Sequence, residues 1–330
     1  MKKIVPDRIH LLAHANPATR DVEKMRFHDR GAYLDAIRQH LPEPYILTGN
    51  PDILFAPENE RDGGRRDDAA RIRDIQEALD DPWTAAIVAL AGGAYFTRLL
   101  PHLNVSALSR RRTPLWMLGF SEMTTFVNIV ASYPGGRGLY WLGPNYLGRK
   151  IRPAAAAREA FGEFWRVLPD ILHGEPPRAA RHLSFGPIRG RLVAGKIRSG
   201  EIRLIGGCLT VLITMLAGPL ARRLRPAGKW LILEDLQEAP YRVDRHLATL
   251  KLAGWFDQVA GVILGAFHAD GADEQNAVLK LLRYHLPRDR EVPVVLSDSF
   301  GHVWPMVPVP INQPLTLSVR AKRVVIGKDI

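Results

Sequence analysis

Residues 114–132 read PLWMLGFSEMTTFVNIVAS, and this stretch decides the fold. The apolar run Pro114-Leu115-Trp116-Met117-Leu118 predicts a buried strand, Gly119 ends it, and the spacing from about Glu122 to Ser132 predicts a helix. The same unit recurs upstream. Ala85 to Leu90 predicts a buried strand closed by a Gly92-Gly93 turn, after a polar loop over 57–68 and a helix from Ala69 to Leu79. Further back, Ile9 to Ala13 reads as a strand, Val22 to Leu41 as a helix ended by Pro42 and Pro44, and Tyr45 to Thr48 as a second strand. Strands that alternate with helices imply βαβ units, hence an α/β domain with a mainly parallel sheet. Sites in such domains lie at the carboxyl ends of the strands.

Downstream, Gly135-Gly136-Arg137-Gly138 reads as a loop. Residues 151–177 change character: they are alanine-rich and helical, then break at Gly174-Glu175-Pro176-Pro177, as an interdomain connection would. The expected division is therefore 1–150, 151–177 as the connection, and 178–330. The second half predicts a strand near Ile202, a helix after Gly206-Gly207, and a strand at Trp230 to Leu233. A helix from Tyr241 to Ala253, a strand from Val259 to Leu264, a helix from Ala272 to His285 and a strand from Val292 to Leu296 follow. The Pro- and Val-rich tail is strand-like.

A chain of 330 residues suits two domains, since one domain averages about 150 residues. Its 46% hydrophobic and 24% charged residues are an ordinary globular balance. The single cysteine excludes a disulfide framework and any Cys-based zinc site, and fits a reducing compartment. No apolar run reaches the roughly 20 residues that span a bilayer. The opening MKKIVPDRIHLLAHANP is too broken by Asp7, Arg8 and His10 for a signal peptide, so the expected location is cytoplasmic. The net charge is +11, but the basic residues are scattered and the densest run is only Arg110-Arg111-Arg112. No basic stripe interleaved with aromatics appears, so neither nucleic acid nor a membrane is an expected partner.

Three places could carry chemistry. Ser121 sits between a buried strand and a helix, where the first helical N–H groups are unpaired and can hold an oxyanion. The final Gly of a G-x-S-x-G elbow is absent, and a plain helix-capping serine fits the same residues. Leu233-Glu234-Asp235 ends another buried strand, where an acid could orient a histidine, or simply face solvent at a helix start. Phe300-Gly301-His302 offers a loop histidine that could act as a general base, although it is one of eleven. His10 and His14, on and after the first strand, read as structural. Neither a zinc spacing nor a nucleotide-binding glycine loop occurs, so the expected set contains no metal and no cofactor.

These weak signals occur in the order Ser, Glu, His within segments that resemble the LD-carboxypeptidase family of serine peptidases, the muramoyltetrapeptide carboxypeptidases. The segments are RIRDIQEALDDPWTAAIVALAGGAYFTRLLPHL, PLWMLGFSEMTTF, GGCLTVLITMLAGPL, KWLILEDLQEAPYRVDRHLATLKLAGWFDQVAGVILGAF and FGHVWPMVPVPINQPLTLSVRA, in family order from Arg71 to about Ala321. The most specific is LEDLQEAPYRVDR. The resemblance implies Ser121 as nucleophile, His302 as general base and Glu234 as the acid that orients it, with backbone N–H groups of Gly93 and Glu122 as the oxyanion hole. It further implies a parallel-sheet α/β N-terminal domain, a β-rich C-terminal domain and an active site at their junction. Family members are cytoplasmic, metal-free and commonly homodimeric. They remove a terminal D-amino acid, usually D-Ala, from recycled murein tetrapeptides.

The chain departs from the family pattern in its pocket. The usual Gly-Gly-Tyr-Gly is Gly92-Gly93-Ala94-Tyr95, the usual Gly-Gly-Asn is Gly206-Gly207-Cys208, and the usual His-Gly-Pro is Leu142-Gly143-Pro144. The nucleophile is followed by Glu122 where Asp is usual. Two other functions share these residues. One is the immunity branch of the family, which cleaves peptidyl-nucleotides; there, 151–200 would be a substrate loop in which Trp165 and Phe185 stack on a base. The other is a catalytically weak sensor of muropeptides.

Overall fold

A computed structural model describes residues 5–57, 65–146, 153–267 and 272–328. The chain divides into two compact units between Ser184 and Phe185.

The first unit is built on a parallel sheet of β1 (Arg8–Leu12), β2 (Ile46–Thr48), β3 (Thr84–Ala89), β4 (Leu115–Gly119) and β5 (Gly136–Tyr140). Side by side they run β5-β4-β3-β1-β2, all parallel. Every residue of β3 is buried, as expected of a strand covered on both faces. The chain moves outward from β1 to β2 on one side and to β3, β4 and β5 on the other. The carboxyl ends of β1 and β3 therefore border the topological switch point, where α/β sheets place their sites, and β4 ends beside β3.

Helices α1 (Thr19–Lys24), α2 (Arg30–His40), α3 (Pro51–Leu54), α4 (Arg65–Asp80), α5 (Thr124–Ala131) and α6 (Ala154–His173) complete this unit. The single helix expected from Val22 to Leu41 is two, because Asp29 stops the chain and caps α2 by accepting the Ala32 N–H at 2.8 Å. Of the loop expected over 57–68, residues 58–64 lie outside the described residues, and α4 already runs from Arg65. Gly136 and Gly138, read as loop, belong to β5. They are glycines because α5 lies against the strand: a β-carbon on Gly138 would stand 2.6 Å from the Val127 carbonyl oxygen.

The expected connection over 151–177 differs most from the structure. Its helix, α6, is part of the first unit's core, with Phe161, Phe164 and Trp165 buried. Trp141 stacks on Phe164 at 5.0 Å between ring centroids, and Phe161 meets Tyr33 at 5.1 Å. A stripe this apolar is a packing surface rather than a tether, so the division between units falls after Ser184 instead of on either side of 151–177.

The second unit holds an eight-stranded mixed sheet. Its strands are β6 (Ile188–Ala194), β7 (Gly200–Ile202), β8 (Leu204–Cys208), β9 (Trp230–Asp235), β10 (Gly261–Phe267), β11 (Val294–Leu296), β13 (Leu315–Arg320) and β14 (Arg323–Gly327). A short strand, β12 (Val309–Ile311), leads into Asn312, whose N–H donates to the Leu204 carbonyl at 2.8 Å. The order is β7-β13-β14-β6-β11-β10-β9-β8. Strands β8 to β11 are parallel, and β6, β7, β13 and β14 pair antiparallel. The helices are α7 (Leu209–Leu212), α8 (Pro240–Leu252), α9 (Trp255–Gln258) and α10 (Ala272–His285). Glu234 stands near the carboxyl end of the parallel strand β9, and His302 in the loop after β11.

Candidate active site

Strand β4 delivers Phe120 in extended conformation and then reverses sharply at Ser121, whose φ is 57°. A serine in the left-handed region is strained, and such strain marks sites where the backbone must present a side chain. The turn closes without the usual second glycine because Met123 folds back over Gly119; a β-carbon there would meet the Met123 Cβ at 2.8 Å. Among the first amides of this turn, Ser121 N–H donates to the Tyr140 hydroxyl at 3.1 Å and Met123 N–H to the Phe120 carbonyl at 3.1 Å. The Glu122 N–H has no partner among the described residues.

The turn after β3 presses against this serine. A β-carbon on Gly92 would lie 2.8 Å from the Ser121 Cβ and 3.2 Å from its Oγ. Gly93 has φ +148° and no room for a side chain, since its β-carbon would lie 2.6 Å from the Ala15 carbonyl oxygen. Its N–H, too, has no partner among the described residues. The Glu122 carboxylate fastens the far end of the segment. Its Oε1 accepts the Phe96 and Thr97 N–H groups, both at 2.9 Å, and the Thr97 hydroxyl at 3.1 Å.

In the second unit, His302 Nδ1 lies 2.8 Å from Glu234 Oε2, with Glu234 fully buried. Gly301 allows the approach: its φ is +120°, and a β-carbon there would stand 3.2 Å from that same oxygen. Pleating sends the adjacent acid the other way. Asp235 accepts the Thr210 N–H at 2.9 Å and hydroxyl at 2.6 Å, and its other oxygen lies 3.5 Å from Cys208 Sγ. Burial, followed by the nearby Glu234 and Asp235 charges, pushes the Cys208 thiol well above the ordinary cysteine range.

The remaining candidates are placed as follows. His10 and His14 are buried, and their Nε2 atoms lie 3.2 and 3.3 Å from Asp74 Oδ2. A cleft of about 450 Å³ borders His10, Asp74 and Arg8, and Ser121 is not in its wall. Leu142 is buried, whereas Gly93, Ala94 and Tyr95 are exposed. Trp165 has no exposed surface, so it has no face to offer a nucleobase, and Phe185 is half-buried. Among the described residues no group of three His, Cys, Asp or Glu side chains is spaced to hold a metal ion, and no helix is long and apolar enough to cross a membrane. Two residues beside the Ser121 and Gly93 turns had no sequence signal: Tyr140, which looks like any strand aromatic, and Arg71, a fully buried arginine in α4.

Comparison with known proteins gives the context for this geometry. The chain is 32% identical over 250 residues to a putative carboxypeptidase of Streptomyces coelicolor, covering 76% of this chain and 74% of that one. It is 32% identical over 271 residues to a probable murein peptide carboxypeptidase of Bacillus subtilis, covering 80% and 78%. Its fold is shared with the microcin C7 self immunity protein MccF, solved with aspartyl sulfamoyl adenosine, at a TM-score of 0.69 and 21% identity over 98% of this chain and 97% of that one. The LD-carboxypeptidase N-terminal domain matches residues 9–140 and the LD-carboxypeptidase C-terminal domain residues 201–317, so the chain belongs to the LD-carboxypeptidase family.

Proposed function

We propose that this protein is a serine LD-carboxypeptidase that removes a terminal D-amino acid, D-Ala, from murein-derived tetrapeptides during cell-wall recycling. The observation that carries the reading is the strained Ser121, with the N–H groups of Gly93 and Glu122, which have no partner among the described residues, in the two turns that meet at its side chain. The buried Glu234–His302 pair supplies the second half of the chemistry.

His302 Nε2 takes the proton from Ser121 Oγ as that oxygen attacks the scissile carbonyl. The negative charge that develops on the carbonyl oxygen is held by the Gly93 and Glu122 N–H groups; a donor of this kind contributes about 3–4 kcal/mol to the transition state. The imidazolium is stabilised by Glu234, and it returns its proton to the amine of the leaving D-residue. An acyl-enzyme remains on Ser121. His302 then takes a proton from water, the hydroxide so formed attacks the ester, and the proton goes back to Ser121 Oγ as the shortened peptide leaves. The reaction takes no metal and no cofactor. The net charge of +11 favours capture of a substrate rich in carboxylates. A cytoplasmic homodimer is the proposed working form.

Incubation of the purified protein with a murein tetrapeptide, with products read by mass, tests the reading. Release of D-Ala by wild type, unaffected by a chelator and abolished in Ser121→Ala, is the expected result. Turnover that survives Ser121→Ala, or that stops with the chelator, rejects it.

A further inference from the structure

Arg71 lies in the middle of α4 and has no exposed surface. A buried guanidinium is costly unless its charge and donors are met. Here Asp68 Oδ1 accepts from Arg71 Nη2, while Asp67 Oδ2, 2.9 Å from Nε, meets the charge as an ion pair without hydrogen-bond geometry. With its charge balanced, the fork reaches out of the helix and binds two backbone carbonyls. Nη1 donates to the His14 carbonyl at 2.7 Å and to the Tyr95 carbonyl at 3.2 Å. His14 reciprocates, its Nε2 lying 3.0 Å from the Arg71 carbonyl oxygen.

Those two carbonyls bracket the segment around Gly93. Residues 14–16 form its floor: the site of a Gly93 β-carbon is 2.6 Å from the Ala15 oxygen and 2.9 Å from the Asn16 Cβ, and Ala94 N–H donates to the Ala15 carbonyl at 3.3 Å. Tyr95 closes the turn with φ 64°, a left-handed conformation that a tyrosine adopts only when its surroundings impose it. Arg71 holds its carbonyl, and Arg98, itself paired with Asp68, lies 5.1 Å over its ring.

We propose that Arg71 is a positioning residue of the nucleophile centre: by tying the His14 and Tyr95 carbonyls to α4 it keeps the strained turn at Tyr95 closed and aims the Gly93 N–H. The inference rests on the reading of Ser121 as nucleophile and Gly93 as oxyanion donor. Lysine cannot replace this arginine, because one ammonium lacks the planar fork that spans two carbonyls and two carboxylates. A shift of about 1 Å in an aligned group can cost roughly a hundredfold in rate, and the loss falls on kcat when the interaction exists only in the transition state.

The test compares Arg71→Lys, Tyr95→Gly and the double variant in the full-length protein. The readouts are kcat, KM and the inhibition constant of a peptide boronate whose tetrahedral boron replaces the scissile carbonyl. In Arg71→Lys, kcat should fall roughly 30- to 100-fold with KM changed less than about threefold, and the boronate should weaken by the same factor as kcat. In the Tyr95→Gly background the loss from Arg71→Lys should shrink at least about fivefold, because glycine holds the left-handed turn without the clamp. Wild-type kcat in Arg71→Lys, a loss confined to KM, or equal losses in both backgrounds overturns the proposal. Should Arg71→Lys not fold, Asp67→Asn carries the test: a several-fold drop in kcat at constant KM supports the clamp, and wild-type kcat overturns it. Ser121→Ala separates the two claims. If it retains turnover, the nucleophile reading fails; if it is dead while Arg71→Lys is fully active, only the role of Arg71 fails.

Discussion

Gly92 packs directly on Ser121: a β-carbon at residue 92 would stand 2.8 Å from the serine Cβ and 3.2 Å from its Oγ. Neither neighbour is the far end of a flexible chain, so one of the two turns must move if a side chain is added. Gly92→Ala should therefore lower kcat/KM by about a hundredfold or more while the protein still folds. Steady-state kinetics and the labelling rate of Ser121 by a fluorophosphonate check this. Near-normal labelling and turnover would mean that the two turns are not coupled.

The adjacent acids of β9 give an internal control. In the proposed mechanism Glu234→Gln removes the charge that stabilises the His302 cation, so it should reduce kcat by roughly 10³–10⁴, with little effect on melting temperature. Asp235→Asn disturbs the anchor of Thr210 instead, so it should lower the melting temperature and affect kcat far less. Kinetics and thermal melts on both variants decide it; the reverse pattern makes Asp235 the functional acid.

Cys208 tests the electrostatics of the same strand end. Burial and the neighbouring acids disfavour its thiolate, so the native protein should react with a disulfide reagent at pH 8 far more slowly than the protein in denaturant. Stoichiometric labelling of the native protein within minutes contradicts this.

Trp165 belongs to the core of the first unit. Trp165→Ala should cost about 3–5 kcal/mol of stability, read as a lower denaturation midpoint. A variant with unchanged stability and weakened nucleotide binding would return this residue to a substrate loop.

Much of this was legible in the sequence, for reasons that differ from element to element. β3 and α10 were clear, because an unbroken apolar run and a sustained helical period leave little choice. β5 was hidden, because Gly136 and Gly138 look like loop residues until α5 is known to lie against them. The role of α6 was hidden in the same way: an alanine-rich helix between two domains reads as a tether, and only Phe161, Phe164 and Trp165 packed in the first unit show otherwise. At the site, the strand-to-helix position of Ser121 was readable from its flanks. The Glu234–His302 pair spans 68 residues of sequence, and no local pattern joins them. Arg71 was unreadable, since a buried arginine is defined by its partners.

The central claim is that Ser121 cleaves the bond to a terminal D-residue, and chirality tests it most directly. Rates on a murein tetrapeptide ending in D-Ala and on its L-Ala epimer should be measured together, with wild type and with Ser121→Ala. A site shaped for one hand exchanges the methyl and hydrogen of the other and displaces its carboxylate, a misplacement that can cost roughly a hundredfold. The account predicts that wild type releases D-Ala about a hundredfold faster than L-Ala and that Ser121→Ala releases neither. Equal rates on the two epimers, or release of D-Ala by Ser121→Ala, would contradict it.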